Sequence, residues 1–300
     1  MHRGRQMQVA IHAGAHSTEE GRLLKSLLSD TGRLRENGVA VPEPAAFRTA
    51  LKDSFAGFDA GGTPAAAGEA LWHRILGSSG AERAVLSNPH FFGSQRHALD
   101  GPRLYPDAAR RLLQLQALFP GDGLELFLCI RNPAAFLPAV LEKAGAPRVR
   151  SVLQESDPMQ LRWSAALQDI RAALPGLPVT VWCCEDLPFI WEDVLQALTG
   201  LGGGFRFSGA LDMARAIMSR EGGKRLAAYM ADQPEMSSAQ KIRVFSTFLD
   251  KFAREDALEE ELDLPGWTEG LVAQLTGLYE ADLDTIAAIP GVTLIEPAAH

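Results

Sequence analysis

Several side chains with chemical potential follow directly after an apolar run that predicts a buried strand. The segment IHAGAHSTEEGRLLKSLL, residues 11–28, passes from such a run through a turn of small residues into a leucine-rich helix. Strand, turn and helix N-terminus form the usual cradle for a phosphate, because unpaired backbone N–H groups and the positive end of the helix dipole converge there. Gly14, Ser17 and Thr18 are the candidate anion-binding residues of this turn.

Two acidic residues in the same turn favour a different role for it. Glu19 and Glu20 would each repel an anion by about 1 kcal/mol at 4 Å in bulk water, and by several times that in a drier pocket. Ser17 and Glu20 stand three residues apart, which predicts a capping box at the helix N-terminus. Glu19 adds negative charge at the positive end of the dipole. We therefore expect the helix to be capped by its own acids; a working phosphate loop is the alternative.

Two further candidates also follow predicted strands. Arg131 comes after the run LELFLCI and before Asn132-Pro133, and its guanidinium suits bidentate binding of a phosphate. A structural arginine paired with a nearby acid or carbonyl is an equally good interpretation. His90, in SNPHFFGS, is the candidate general base, since imidazole titrates near neutral pH. The alternative for His90 is a loop histidine without a catalytic role.

Other polar residues are assigned structural roles. Glu185 and Asp186 precede Pro188, a pattern typical of a helix N-cap. His12 and His16 straddle a predicted strand end and so lack the helical spacing of a metal-binding pair, and no metal site is predicted.

Charged residues on the later helices suggest surfaces rather than sites. Arg103, Arg110 and Arg111 could form a positive rim above the sheet, but a solvated helix face is the commoner arrangement. The segment REDALEEELDLPGW, residues 254–267, is predicted to be an acidic surface stretch that could contact a partner.

The elements that position these residues alternate along the chain. Four apolar runs near residues 8, 83, 124 and 178, and a shorter one at residue 38, predict strands buried on both faces. Helical patterns lie between them, at residues 23–34, 45–58, 64–76, 106–119, 133–144, 158–174 and 188–198. This alternation predicts an α/β fold with a mostly parallel sheet of about five strands. We expect a single domain over residues 1–300, with an α/β part at about 7–200 and a mostly helical extension at about 205–300.

Composition narrows the classes of function. The chain has 300 residues, a formal net charge of -8 and no long basic stretch, which disfavours a nucleic-acid partner. Neither a signal peptide nor a membrane span is predicted, so the expected location is cytoplasmic. Cys129, Cys183 and Cys184 form no disulfide pattern and are expected to be reduced packing residues. The oligomeric state cannot be derived from these features.

The order of several motifs resembles that of bacterial sulfotransferases that use the donor PAPS (3′-phosphoadenosine-5′-phosphosulfate). The opening IHAGAHST, the leucine-rich helix and ENGVAVP are similar to the family's first strand, P-loop, helix and second strand. LFLCIRNPAAFLPAVLEKA resembles the strand and helix with the arginine that binds the 3′-phosphate. VTVWCCEDLPFIWEDVLQALTGL resembles the family's "YEDL" strand, and WTEGLVAQLTGLYEADLDTIAAIPGV resembles its terminal Tyr-x-x-Asp helix.

The resemblance implies a P-loop-type three-layer sandwich, PAPS or its product PAP as cofactor, and a carbohydrate or other small-molecule hydroxyl as acceptor. It places the phosphosulfate near Gly14, Ser17 and Thr18 and the 3′-phosphate on Arg131. Ser17, however, replaces the family's lysine, and Glu19 replaces a glycine.

We therefore expect a sulfotransferase-like protein with degraded PAPS motifs rather than a conventional enzyme. An active sulfotransferase with a non-standard donor site, in which Lys25 or Lys143 replaces the missing cation, is the alternative. A nucleotide kinase ranks last, because the sequence lacks G-x-x-x-x-G-K-[ST].

Overall fold

A parallel six-stranded sheet forms the centre of the molecule, as a computed structural model of the chain shows for residues 6–62, 65–76, 80–142, 157–258, 264 and 266–298. The strands of this sheet are β1 Gln8–His12, β2 Val39–Ala40, β3 Arg83–Ser87, β6 Gly123–Ile130, β7 Val179–Cys183 and β8 Val292–Ile295, and a separate hairpin pairs β4 Leu99–Asp100 with β5 Arg103–Leu104. In the sheet the strands follow the order β2-β3-β1-β6-β7-β8, and every neighbouring pair is parallel.

The predicted α/β class and all five predicted strands are confirmed. The sequence patterns do not predict the sixth strand, β8, because it is a short and only half-buried edge strand without a long apolar run. Its place beside β7 is decided by packing rather than by its own sequence.

Helices cover both faces of the sheet. They are α1 Arg22–Leu28, α2 Thr31–Glu36, α3 Pro44–Asp59, α4 Ala65–Leu76, α5 Ala108–Leu118, α6 Pro133–Leu141, α7 Trp163–Ala173, α8 Leu187–Thr199, α9 Asp212–Ile217, α10 Arg220–Asp232, α11 Ser238–Phe252, α12 Glu255–Leu258 and α13 Glu269–Ala287. None of the helices in these described ranges is long and apolar enough to cross a bilayer.

The first predicted helix is two helices rather than one. It ends at Leu28 and begins again at Thr31, and Asp30 between them is buried. The Asp30 carboxylate accepts hydrogen bonds from the backbone N–H and the hydroxyl of Ser208, at 2.7 Å each. Because Asp30 is held by a distant loop, its backbone leaves the helical path. The helix predicted over residues 158–174 is likewise divided into a 3-10 turn, Pro158–Gln160, and α7.

Two apolar cores lie on opposite faces of the sheet. On one face α1, α2 and α8 pack through residues such as Leu23, Leu34 and Val194. On the other face α3, α5, α6, α7 and α13 contribute to a larger core. Helices α9, α10 and α11 form a third, smaller cluster around Leu226 and Phe245. The layers agree with a three-layer sandwich that carries a helical C-terminal part.

Strand order locates the crevice where a ligand of such a sheet binds. The chain leaves β1 toward α1 and α2 on one face, and it leaves the neighbouring strand β6 toward α6 on the other. Loops that diverge in this way open a crevice at the carboxyl ends of the two strands. The segments after β1 and β6, residues 13–21 and 131–132, line that crevice.

Candidate functional site

The predicted site residues do meet at one edge of the sheet. Gly14, Ser17 and Thr18 lie in the loop after β1, His90 lies after β3, and Arg131 follows β6 directly. The Arg131 guanidinium donates a hydrogen bond to the carbonyl oxygen of Ser17, so the β1 and β6 loops are joined at this point. The Thr18 hydroxyl donates to the Ala15 carbonyl at 2.9 Å and is therefore engaged within its own loop.

Gly14 lets the β1 loop pass close to the β3 loop. Its φ of 94° lies in the left-handed region, and a Cβ there would be 3.4 Å from Cα of Pro89. One residue later the Ala15 N–H donates to the Cys129 carbonyl on β6 at 2.8 Å. Gly14 therefore has a backbone role that an L side chain would oppose.

The predicted capping box is wrong. Helix α1 begins at Arg22, and its N-cap is Gly21, which provides no side-chain hydrogen bond. The Ser17 hydroxyl points instead toward the Ala139 carbonyl on α6, at 3.4 Å. Ser17 and Glu20 both have positive φ, 55° and 50°, so the chain between them is a turn rather than a first helical turn. A capping box needs helical geometry over these three residues.

Glu19 caps the helix in place of the predicted pair. It is buried, with 5% of its surface exposed, and its Oε2 accepts a hydrogen bond from the Leu23 N–H at 3.3 Å. Glu20, by contrast, is exposed and pairs with Arg22 at 3.1 Å. The Glu19 carboxylate thus stands at the positive end of α1, where an incoming anion would otherwise make its contacts.

A buried histidine lies beside Glu19. Nε2 of His12 is 3.8 Å from Oε1 of Glu19, and Nδ1 of His12 is 2.8 Å from the Ser87 hydroxyl. The ring of His12 stacks on Trp182 with 5.7 Å between centroids. Burial lowers the pKa of His12, while the negative charge of Glu19 opposes that change with a smaller effect. His12 is therefore neutral at pH 7 and offers Glu19 no full positive charge.

A second histidine links the protein interior to the surface. The Tyr105 hydroxyl lies 2.8 Å from Nδ1 of His16, and it also accepts the His16 backbone N–H at 2.9 Å. Nε2 of His16 lies 3.2 Å from Nδ1 of His90, whose residue is exposed. We call Tyr105, His16 and His90 the relay. Sequence reasoning missed Tyr105 as a member, because it is 89 positions from His16 and no local pattern marks it.

Hydrogen-bond donors and acceptors set the direction of the relay. The Tyr105 oxygen accepts the backbone N–H, and we assign its own proton to Nδ1 of His16, because the described residues offer this buried hydroxyl no other acceptor. His16 then carries its proton on Nε2 and donates it to Nδ1 of His90. With Nδ1 of His90 as the acceptor, the proton of that ring is on Nε2. Burial, followed by the nearby His90, lowers the pKa of His16 to about 4, so His16 stays neutral at pH 7.

On the other side of Arg131, an acidic residue holds the C-terminal helix. Glu185 accepts the Asn132 N–H at 2.8 Å and the Tyr279 hydroxyl at 3.3 Å. Burial raises the pKa of Glu185. The predicted N-cap position is confirmed for Asp186, which precedes α8, although its side chain makes no capping hydrogen bond. Glu185 has a different role, because it connects the ends of β6 and β7 to α13.

The terminal Tyr-x-x-Asp pattern is also structural. Asp282 is buried and accepts the backbone N–H of Ser164 at 3.1 Å and the Ser164 hydroxyl. Trp163, the residue before Ser164, donates its indole N–H to the Arg131 carbonyl at 2.8 Å. The motifs near residues 131, 185 and 279–282 thus form one network that fixes α13 and α7 at the carboxyl edge of the sheet.

The remaining candidates lie elsewhere. Arg110 and Arg111 pair with Asp59, and Arg103 pairs with Asp169, so these arginines form surface ion pairs and not a positive rim. Lys25 is exposed in the last turn of α1, remote from its N-terminus. Lys143, and residues 259–263 and 265 of the acidic stretch, lie outside the described residues.

The cysteines form no disulfide, and the described residues contain no cluster of metal ligands. All three cysteines are free, and burial raises the pKa of Cys183 to about 12. Within the described ranges, no group of three His, Cys, Asp or Glu side chains is placed to hold a metal ion.

Comparison with protein-family models and with curated proteins finds no match to this sequence. Interpretation of the site therefore depends on its own geometry. That geometry combines a buried carboxylate at a helix N-terminus, a buried arginine held against the same loop, and an exposed histidine.

Proposed function

We propose that the chain is a sulfotransferase-like protein in which its own Glu19 occupies the position of the donor's phosphosulfate, so that it is not a conventional PAPS-dependent enzyme. The parallel sheet and the crevice between β1 and β6 support a relationship at the level of fold. A shared fold does not by itself establish a shared activity, so the proposal depends on the contents of the crevice.

The observation that carries the proposal is the buried carboxylate of Glu19. It already accepts the Leu23 N–H, a group that a bound phosphosulfate would need. Two like charges 4 Å apart repel by about 4 kcal/mol at an effective dielectric of about 20. That repulsion alone corresponds to a loss of roughly 10³-fold in affinity for each unit charge on the donor. His12 does not offset it, because burial keeps that imidazole neutral.

The position of Arg131 adds to the same argument. The resemblance assigns its guanidinium to the 3′-phosphate, but Arg131 is 8% exposed and donates to the Ser17 carbonyl. One nitrogen of the guanidinium is thus already engaged inside the protein. The arginine therefore serves to close the loop on which Glu19 is placed.

An active sulfotransferase is the second candidate, and the relay is the observation that favours it. His90 is exposed at the carboxyl edge of the sheet and is connected through His16 to Tyr105. For His90 to act as a base, both imidazole protons would shift inward, and the Tyr105 proton would lose its acceptor at a cost of about 1 kcal/mol. The relay therefore makes His90 a better hydrogen-bond donor to an oxyanion than a base.

Isothermal titration with PAP tests the first proposal. We expect no binding by the natural protein at a Kd of about 1 mM or tighter, and measurable binding by Glu19→Gln, which keeps the shape but removes the charge. Glu20→Gln is the matched control, since Glu20 is adjacent and exposed. A Ser17→Lys, Glu19→Gly double variant restores the family pattern and should bind more tightly still.

The opposite outcome is equally clear. Micromolar binding of PAP by the natural protein, unchanged in Glu19→Gln, would overturn the proposal. Transfer of a sulfuryl group from PAPS to a sugar hydroxyl, lost in His90→Ala, would then establish the second candidate. Circular dichroism of each variant verifies that the fold is retained.

A further inference from the structure

A pocket in the C-terminal helical part lies apart from the crevice described above. It has a volume of about 460 Å³ and forms where the end of α9, the first turns of α10 and the second residue after α11, Arg254, meet. The backbone ties these segments together: the Ser219 N–H donates to the Phe252 carbonyl at 2.8 Å, and the Arg254 N–H donates to the Ile217 carbonyl at 2.9 Å. The pocket is therefore formed by residues whose backbones are fixed relative to one another.

The pocket collects positive charge. Its lining includes Arg215, Arg220, Lys224 and Arg254, and none of the described residues that line it is acidic. This concentration occurs in a chain with a formal net charge of -8. The four cationic residues come from three separate segments, and each of them is exposed to solvent. A solvated helix face would spread these charges rather than bring them around one cavity.

Only two of these cations have a carboxylate partner. Arg215 pairs with Asp212 at 3.5 Å, and Arg254 pairs with Asp256. Arg220 and Lys224 make no ion pair with any residue in the described part of the chain. The pocket thus has about two uncompensated positive charges.

The start of α10 contributes further to the pocket. Ser219 caps this helix by accepting the Gly222 N–H at 3.1 Å, and α10 continues for 13 residues. Gly223 lines the pocket without a side chain, which lets Arg215 lie close to α10: a Cβ at Gly223 would be 3.3 Å from Cγ of Arg215. The N-terminal turns of α10 and the cationic side chains therefore border the same pocket.

We infer that this pocket binds a small organic molecule carrying a phosphate monoester. A phosphate monoester has about two negative charges at neutral pH, which match the two unpaired cations. A volume of about 460 Å³ lies within the range of small-molecule sites and exceeds the space that an isolated phosphate needs. Met218, which is buried, and Ala227 provide an apolar wall for the organic part. The inference is independent of whether PAPS binds at the sheet edge.

Titration with AMP, inorganic phosphate and adenosine tests this site, with backbone amide shifts in ¹H–¹⁵N spectra as the readout. We expect AMP and inorganic phosphate to shift the amides of Ser219, Arg220 and Gly223, with a Kd of about 1 mM or tighter for AMP. Adenosine, which lacks the phosphate, should not shift them. Arg220→Gln and Lys224→Gln should each weaken binding about 10-fold, since a charge-assisted hydrogen bond is lost.

Arg225→Gln is the matched control. Arg225 is next to Lys224 on the same helix, is paired with Glu221 and does not line the pocket. Its substitution should leave the AMP affinity within about 2-fold of the natural value, which is far below one charge-assisted hydrogen bond. Absence of AMP-induced shifts at the start of α10, or equal weakening by Arg225→Gln and Lys224→Gln, would overturn the inference.

Discussion

Protonation of His16 should couple the stability of the fold to pH. His16 is buried, with 5% of its surface exposed, and its pKa falls from 6.5 to about 4 on folding. Because the unfolded chain binds the proton more tightly, stability is fully present above pH 6.5 and is lost as the pH falls toward 4. Burial of the ring is the main cause of the lowered pKa, and the nearby His90 is the second. The contact with Tyr105 agrees with a neutral ring, since Nδ1 can accept a proton only when it carries none.

The size of the effect follows from the two pKa values. With 6.5 for the unfolded chain and about 4 for the folded protein, linkage gives a loss of about 2 kcal/mol between pH 7.5 and pH 5. This is a large fraction of the roughly 5–15 kcal/mol that stabilises a typical domain. Burial of His12 acts in the same direction, so its effect must be separated from that of His16.

Urea unfolding, followed by tryptophan fluorescence, measures the effect. The natural protein and His16→Phe are compared at pH 7.5 and pH 5, so that His12 and the carboxylates cancel in the difference. We expect the stability advantage of the natural protein over His16→Phe to shrink by about 2 kcal/mol at pH 5. His73→Gln, at an exposed position on α4, is the control and should show no such change.

A difference between the natural protein and His16→Phe that is equal at both pH values would refute this reasoning. It would mean that His16 accepts a proton in the folded state without loss, and therefore that the direction assigned to the relay is wrong.

Two further predictions concern the network around the sheet edge. Asp282→Ala should lower the free energy of unfolding, measured in urea, by about 2–4 kcal/mol, because the Ser164 N–H and hydroxyl both lose their buried acceptor. Asp284→Ala, at a neighbouring position of α13, is the control and should lower it by less than about 0.5 kcal/mol. Similar losses for the two variants would contradict the buried network. In the native protein a disulfide reagent such as DTNB should modify only Cys184, because Cys129 and Cys183 are buried and burial raises the pKa of both thiols. The reaction is followed by absorbance, with Cys184→Ser as the control. Rapid modification of more than one thiol per chain would show that the core is open.

The sequence by itself determined the sheet and the edge at which the site lies. Strands β1, β3, β6 and β7 are continuous apolar runs bounded by turn residues, and such runs are buried on both faces wherever they pack. Because parallel strands end at the same edge, the position of Gly14, His90 and Arg131 near one another also follows from the alternation of strands and helices.

Tertiary structure decided which of those residues contact each other. Glu19 rather than Ser17 caps α1, because the Ser17 backbone is held in a turn whose carbonyl accepts from Arg131, 114 positions away. The relay requires Tyr105 to reach His16 across the sheet edge.

The same holds for the elements and the pocket that sequence patterns did not predict. Asp30, between the two parts of the first helix, is held by Ser208 from a distant loop, and the pocket on α10 forms from three segments with separate local patterns. Both features depend on residues far apart in the sequence. Sequence periodicity contains no information on such contacts, since it reports which face of an element is buried and not which residue lies opposite.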